Sequence, residues 1–162
     1  MIAPRRIVVV GQAPSRGTGG APPFSGASGR KLAELLDVPH AELGALFELR
    51  NVLARYPGKG AGKGDAFPAA RARRAARRLR AEVAGREVLV VGKATAAALG
   101  LDGERLFRAQ TWDGATLCWV IPHPSGVNRW WNDAGNRRRA AFFLRDIGAA
   151  ARARLDTIRR TG

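Results

Sequence analysis

The chain has 162 residues, 46% hydrophobic and 25% charged, the balance of a soluble globular chain, and one domain over residues 1–162 is expected. Twenty-eight Lys and Arg against 13 Asp and Glu give a formal net charge of +15, the footprint of a protein that meets a polyanion, with a generally basic surface as the alternative. One cysteine rules out an intrachain disulfide and a multi-cysteine metal or cluster site, and no apolar stretch approaches membrane-spanning length.

Met1 to Arg6 shows no signal-peptide pattern and leads directly into a strand, so a cytoplasmic location is expected. Arg6 to Val10 reads as a first buried strand, and Ser28 to Leu36 as a short helix with Leu32, Leu35 and Leu36 on one face. Leu46 to Leu49 is a second strand, ending at Asn51. The glycine density of Tyr56 to Gly64 predicts a flexible loop. Phe67 to Ala84 is an arginine-rich helix with Pro68 in its first turn and Gly85 at its stop.

Glu87 to Val91 is a third strand, and a short helix from Ala94 to Leu99 ends at Gly100. Leu106 to Trp112 and Thr116 to Ile121 flank Asp113-Gly114, the signal for a tight hairpin. Cys118 lies inside the second of these runs and reads as a buried small hydrophobe. From about Ala134 to Ile158 runs a long basic helix. Strands alternating with helices predict an α/β sandwich with a mainly parallel sheet and an antiparallel hairpin contribution. The helical arginines, Arg71 to Arg80 and Arg137 to Arg145, read as solvated faces or a diffuse field, leaving specific contacts to loops at the strand ends.

Two of those loops are short, polar and proline-stiffened: Gly11-Gln12-Ala13-Pro14-Ser15 and Pro122-His123-Pro124-Ser125-Gly126. Ligands collect at the carboxyl ends of strands in open α/β sheets, so the pair suggests the mouth of an active site. Other chemistries fit poorly. A phosphate loop fails because Gly64 follows Gly62-Lys63 where Ser or Thr is needed, and Pro57 stands where the first glycine belongs. Gly11 lacks the glycine continuation of a dinucleotide fold, and Ser125 lacks a hydrolase elbow. His40 reads as a surface residue at a helix start; His123, fixed between two prolines, reads as functional, with a structural histidine as the alternative.

Gly11 to Ser15, Pro23-Phe24-Ser25-Gly26-Ala27-Ser28-Gly29, Asn51-Val52-Leu53, Val91 to Ala97 and His123-Pro124-Ser125 follow one another along the chain. In this order they resemble the signature segments of the uracil-DNA glycosylase superfamily, and most of all its iron-sulfur branch. The resemblance implies a three-layer α/β/α sandwich around a central, mainly parallel four-stranded sheet. It implies that Phe24 stacks on a flipped base, Asn51 reads its edge, and His123 donates to the leaving base, while Gly11, Gln12, Ala13, Pro14 and Ser15 close the pocket. Ser125, Gly126, Val127, Asn128 and Arg129 would contact DNA, with Val127 or Arg129 as the wedge, and Lys59 and Lys63 would add to the DNA surface. Trp130 and Trp131 either anchor the last helix or stack on DNA.

The departures bear on chemistry. Ala13 stands where the best-known branch has the Asp that positions water, Gln12 where the iron-sulfur branch has Glu, and Arg55 about where a cluster ligand would fall. Ser15 replaces the Tyr that excludes thymine, leaving room at C5 of a pyrimidine. The expected activity is monofunctional excision of uracil or a related 5-substituted pyrimidine by a monomer acting on DNA, with no lysine nucleophile, metal or cofactor. Two alternatives stand beside it: a glycosylase for a hypermodified base, as in defence against viral DNA, and a catalytically silent module that binds modified bases. Strand breaks at an abasic product separate the enzymes from the silent module.

Overall fold

A computed structural model of the chain describes residues 4–17, 19–62 and 64–162. In chain order the elements are β1 (Val8–Gly11), α1 (Ala27–Leu35), a 3-10 turn (His40–Glu42), α2 (Leu43–Leu46), β2 (Glu48–Asn51), α3 (Ala69–Glu82), β3 (Glu87–Val91), α4 (Lys93–Leu99), β4 (Leu117–Ile121), a second 3-10 turn (Arg129–Asn132) and α5 (Ala134–Thr161). The strands form one sheet in the order β2-β1-β3-β4, with every neighbouring pair parallel. Parallel strands covered on both faces read as continuous apolar runs, as Val8-Val9-Val10 and Val88-Leu89-Val90-Val91 do.

Alternation along each strand divides the core in two. Ile7, Val9, Leu89, Val91 and Ile121 face Leu32 and Leu36, Leu43 and Leu46 of α2, and Ala140, Leu144 and Ala151 of α5. On the opposite face Val8, Val10, Val88, Val90, Cys118 and Val120 meet Ala72, Ala76 and Leu79 of α3 and Ala96 and Leu99 of α4. The result is the three-layer α/β/α sandwich. Small alanines on α3 bring its backbone close to the sheet and turn the arginines outward. Cys118 is fully buried, and burial pushes its thiol up to about 12, which leaves it unreactive. Among the described residues no helix is long and apolar enough to cross a membrane.

Two expectations change. The second strand starts at Glu48, because Leu46 closes α2 and is buried there with Leu43; a short apolar run does not distinguish a helical turn from a strand. Leu106 to Trp112 forms no strand: it meets β4 only through a parallel bridge at Leu106 and an antiparallel one at Gln110. The Asp113 carboxylate explains this. It accepts the backbone N–H groups of Ala115 and Thr116 and the hydroxyls of Thr111 and Thr116, closing a side-chain-capped loop where a two-residue hairpin turn was predicted. Phe107, at φ +57°, further bends the segment out of extended geometry.

Those bonds, the Thr116 N–H first, hold the Asp113 carboxyl well below its ordinary range. A depressed folded-state value means that its stabilisation is complete above the ordinary aspartate range and is lost as pH falls toward the depressed value. Asp113→Ala should therefore melt at a lower temperature than the wild type at neutral pH, with the gap closing in acid; a gap that stays constant across the pH series would contradict this role.

Candidate active site

In the strand order the connection from β1 leads outward to β2 and the connection from β3 leads the other way to β4, so a crevice opens at the carboxyl ends of the neighbouring strands β1 and β3. Gly11 pairs with Asn51 as the last rung of β1 and β2. Beyond it the Val52 and Leu53 N–H groups donate to the carbonyls of Gly11 and Gln12, both at 2.9 Å, so the two loops leave the sheet together. At this end lies a cavity of about 420 Å3 lined by Gly11, Gln12, Ala13, Pro14, Ser15, Phe24, Asn51 and His123, among others. Every residue assigned to base recognition or bond cleavage from the sequence is thus brought to one wall or another of a single cavity, which falls in the range of small-molecule sites.

Glycine at position 11 is what leaves this space open. A Cβ there would lie 2.8 Å from Phe24 Cζ and 2.9 Å from Asn51 Oδ1. Phe24 itself adopts φ +61°, a left-handed conformation that costs a bulky residue on the order of 1–3 kcal/mol. Two features hold it there. Gly29 of α1 passes so close that a Cβ would fall 1.6 Å from the Phe24 carbonyl oxygen, and His40 Nε2 donates to that same oxygen at 2.8 Å. Because a carbonyl only accepts, Nε2 carries the proton. His40 is therefore half-buried and bonded, a correction to its reading as a surface residue; its i-to-Phe24 separation of sixteen residues leaves no local signal in the sequence.

His123 is held through its backbone. Its carbonyl accepts the Ser125 N–H at 2.9 Å, Asn128 Nδ2 at 3.0 Å and the Trp131 indole Nε1 at 2.8 Å, and the flanking Pro122 and Pro124 are buried. Asn128 Oδ1 accepts the Trp130 N–H, so its side chain spans the loop from within. Trp130 packs against Trp131 and Phe107 with ring centroids 4.8 and 5.7 Å apart. This geometry places both tryptophans in the anchoring role. Val127 stands 90% exposed in the turn after Ser125, and Gly126 and Arg129 are exposed beside it; none of the residues 125–129 lines the cavity.

The glycine-rich segment folds back on itself through a bridge between Lys59 and Asp65 and a bond from the Ala66 N–H to the Gly58 carbonyl. Lys59 is exposed on this hairpin and outside the cavity, and Lys63 lies outside the described residues. Among the described residues Asp65 is the one carboxylate that lines the cavity, and it accepts the Tyr56 hydroxyl at 3.1 Å. No motif marks it in the sequence; the available signal was a single acid closing a glycine-rich loop. Lys93, which opens α4 inside the matched Val91 to Ala97 segment, pairs with Glu104 at 2.5 Å and does not reach the cavity. Among the described residues no cluster of three His, Cys, Asp or Glu is arranged to hold a metal.

Burial lowers the His123 imidazole below its ordinary value, so the ring is neutral at neutral pH and carries one N–H for donation. An unfolded histidine, near about 6.5, then binds a proton more readily than the folded one. Stability is complete above that value and is lost as pH falls through the depressed midpoint. An NMR titration of the ring should give a midpoint below that of an exposed histidine; an ordinary or elevated midpoint would contradict the desolvated setting.

A cavity at the carboxyl ends of a parallel sheet, lined by an aromatic ring, an amide that makes no hydrogen bond among the described residues and a neutral histidine, agrees with what sequence comparison finds. No curated protein matches the chain significantly. Residues 3–147 match the family model of the uracil DNA glycosylase superfamily, a span that contains every signature segment named above. By that match and this fold, the chain belongs to the uracil DNA glycosylase superfamily.

Proposed function

We propose that the protein is a monofunctional DNA glycosylase that draws uracil or a related 5-substituted pyrimidine out of DNA and hydrolyses its N-glycosidic bond, leaving an abasic site. The observation that carries this reading is the convergence of Phe24, Asn51 and His123 on one cavity. An extruded base needs a flat apolar face, and Phe24 supplies one. The Asn51 amide makes no hydrogen bond among the described residues, so its donor and acceptor are both available to the O4 and N3 edge of a uracil ring.

In the reaction the bond between C1′ of the sugar and the base nitrogen breaks, and both electrons leave with the base. Negative charge collects on O2, where the neutral His123 N–H donates. Such a donor is fixed in a partly desolvated site before the charge develops, which is when it stabilises most. The sugar cation takes up water, and the water loses a proton. Ala13 supplies nothing for that step, and Gln12 orients a water without accepting its proton. Asp65, on the same cavity wall, is the carboxylate we assign to it. Ser15, small and exposed at the cavity wall, leaves room for a substituent at C5, and the exposed Val127 is the side chain that fills the vacated stack.

The test is a panel of single- and double-stranded oligonucleotides, each with one uracil, 5-hydroxymethyluracil or mismatched thymine, treated with alkali after incubation. Strand breaks at uracil and at 5-hydroxymethyluracil are expected. His123→Ala and Asn51→Ala should slow them by about 100-fold or more, and Asp65→Asn by about 100-fold, without loss of DNA affinity. Tight binding with no break on any oligonucleotide would overturn the enzyme reading in favour of a silent binding module, and full activity in Asp65→Asn would remove that residue from the water step.

A further inference from the structure

A second cavity, of about 530 Å3, shares Asn51 with the first and runs between the end of β2 and the outer face of α3. Four guanidinium groups line it, from Arg50, Arg55, Arg71 and Arg78, against one carboxylate, Glu82. Arg50 is engaged, pairing with Glu48 at 3.2 Å and with Glu82. Arg55, Arg71 and Arg78 are exposed and make no ion pair or hydrogen bond among the described residues. The groove therefore carries three uncompensated positive charges directly beside a base-reading amide.

Helical spacing explains why these arginines gather. At about 100° per residue, Arg71, Ala75 and Arg78 share one face of α3, next to the buried stripe of Ala72, Ala76 and Leu79. Ala75 keeps the floor between the two arginines low. Arg73 and Arg77 point away on the far side of the helix, and neither lines the groove. Arg71 and Arg78 are seven residues apart, about 10 Å along the helix axis. A strand of duplex DNA presents a phosphate about every 3.4 Å of axis, so the groove spans more than one. Planar guanidinium forks match phosphate oxygens two at a time.

We infer that this groove is a phosphate-binding channel for the DNA strand on either side of the nucleotide whose base enters the first cavity. Four of the arginines of α3 then divide into two classes. Arg71 and Arg78, with Arg55 of the loop, make defined backbone contacts; Arg73 and Arg77 add only to the long-range field. The inference rests on the reading that the protein acts on DNA, and it is independent of whether a base is excised.

Binding to a duplex of ordinary sequence, followed by fluorescence anisotropy across a salt series, reads the contacts without any chemistry. The combined substitution R55Q/R71Q/R78Q is compared with R73Q/R77Q/R145Q, which removes equal charge from outside the groove. The groove substitutions should reduce the slope of log affinity against log salt by about 2 to 3, and the affinity at moderate salt by about tenfold or more. The control set should change the slope by less than about 1. R55Q alone, in a loop with no contact to lose, should take about one slope unit and guards against misfolding of the triple variant. Equal losses in both sets, or none in either, would overturn the channel. So would inorganic phosphate that binds the wild type and not the groove variant at constant ionic strength while both bind DNA alike, since the groove would then hold an isolated phosphate and no strand. Excision by the wild type with equal DNA binding in both sets would defeat the channel alone; a slope loss without excision of any base would defeat the glycosylase alone.

Discussion

The site depends on a side chain that is not there. Gly11 ends β1 opposite Asn51 in β2, and a Cβ at residue 11 would occupy the space into which Phe24 and the Asn51 amide reach. Parallel pairing of β1 with β2 sets which residue stands beside that gap, and the bonds from Val52 and Leu53 to the carbonyls of Gly11 and Gln12 keep the two loops in step beyond the sheet. Phe24 is forced into a left-handed backbone to use the gap, with Gly29 and His40 holding it there. The cavity is thus a consequence of strand register and of two close approaches that only glycine permits.

Much of this was legible in the sequence because the two central strands, β1 and β3, are buried on both faces. Continuous apolar runs at Val8 to Val10 and Val88 to Val91 announce central parallel strands, and the carboxyl ends of β1, β2 and β4 carry Gln12, Asn51 and His123. What escaped was long-range or mediated by side chains. His40 reaches the Phe24 carbonyl across a helix, and Trp131 and Asn128 close on the His123 carbonyl after a turn that no periodicity marks. Asp65 enters the cavity on a hairpin whose glycines advertise flexibility and conceal its bridge to Lys59. The predicted hairpin at Asp113-Gly114 failed for a related reason: the aspartate takes the backbone N–H groups that strand pairing would have used.

Charge has two functions in this molecule, on different scales. The surplus of 28 Lys and Arg over 13 Asp and Glu draws a polyanion from a distance, and salt weakens that attraction. Close to the cavity the surplus gives way to specific groups: a partly buried, neutral His123 with one N–H, a partly buried Asn51 amide that makes no hydrogen bond among the described residues, and the exposed carboxylate of Asp65. Between these scales lies the groove of Arg55, Arg71 and Arg78, where a general basic surface becomes a defined set of contacts beside Asn51. The arginines of α3 lie outward because its alanines are packed inward, so the same spacing that builds the core builds the charged face.

In the proposed reaction the cavity between Gly11, Phe24, Asn51 and His123 receives a base from DNA. A structure of the protein on a duplex carrying one 2′-fluorinated deoxyuridine, whose glycosidic bond resists cleavage because fluorine disfavours the sugar cation, tests it directly. The uracil ring should lie outside the stack, on Phe24, with its edge on the Asn51 amide and O2 at the His123 ring. A uracil still paired in the duplex, or held elsewhere on the protein with this cavity vacant, would contradict it.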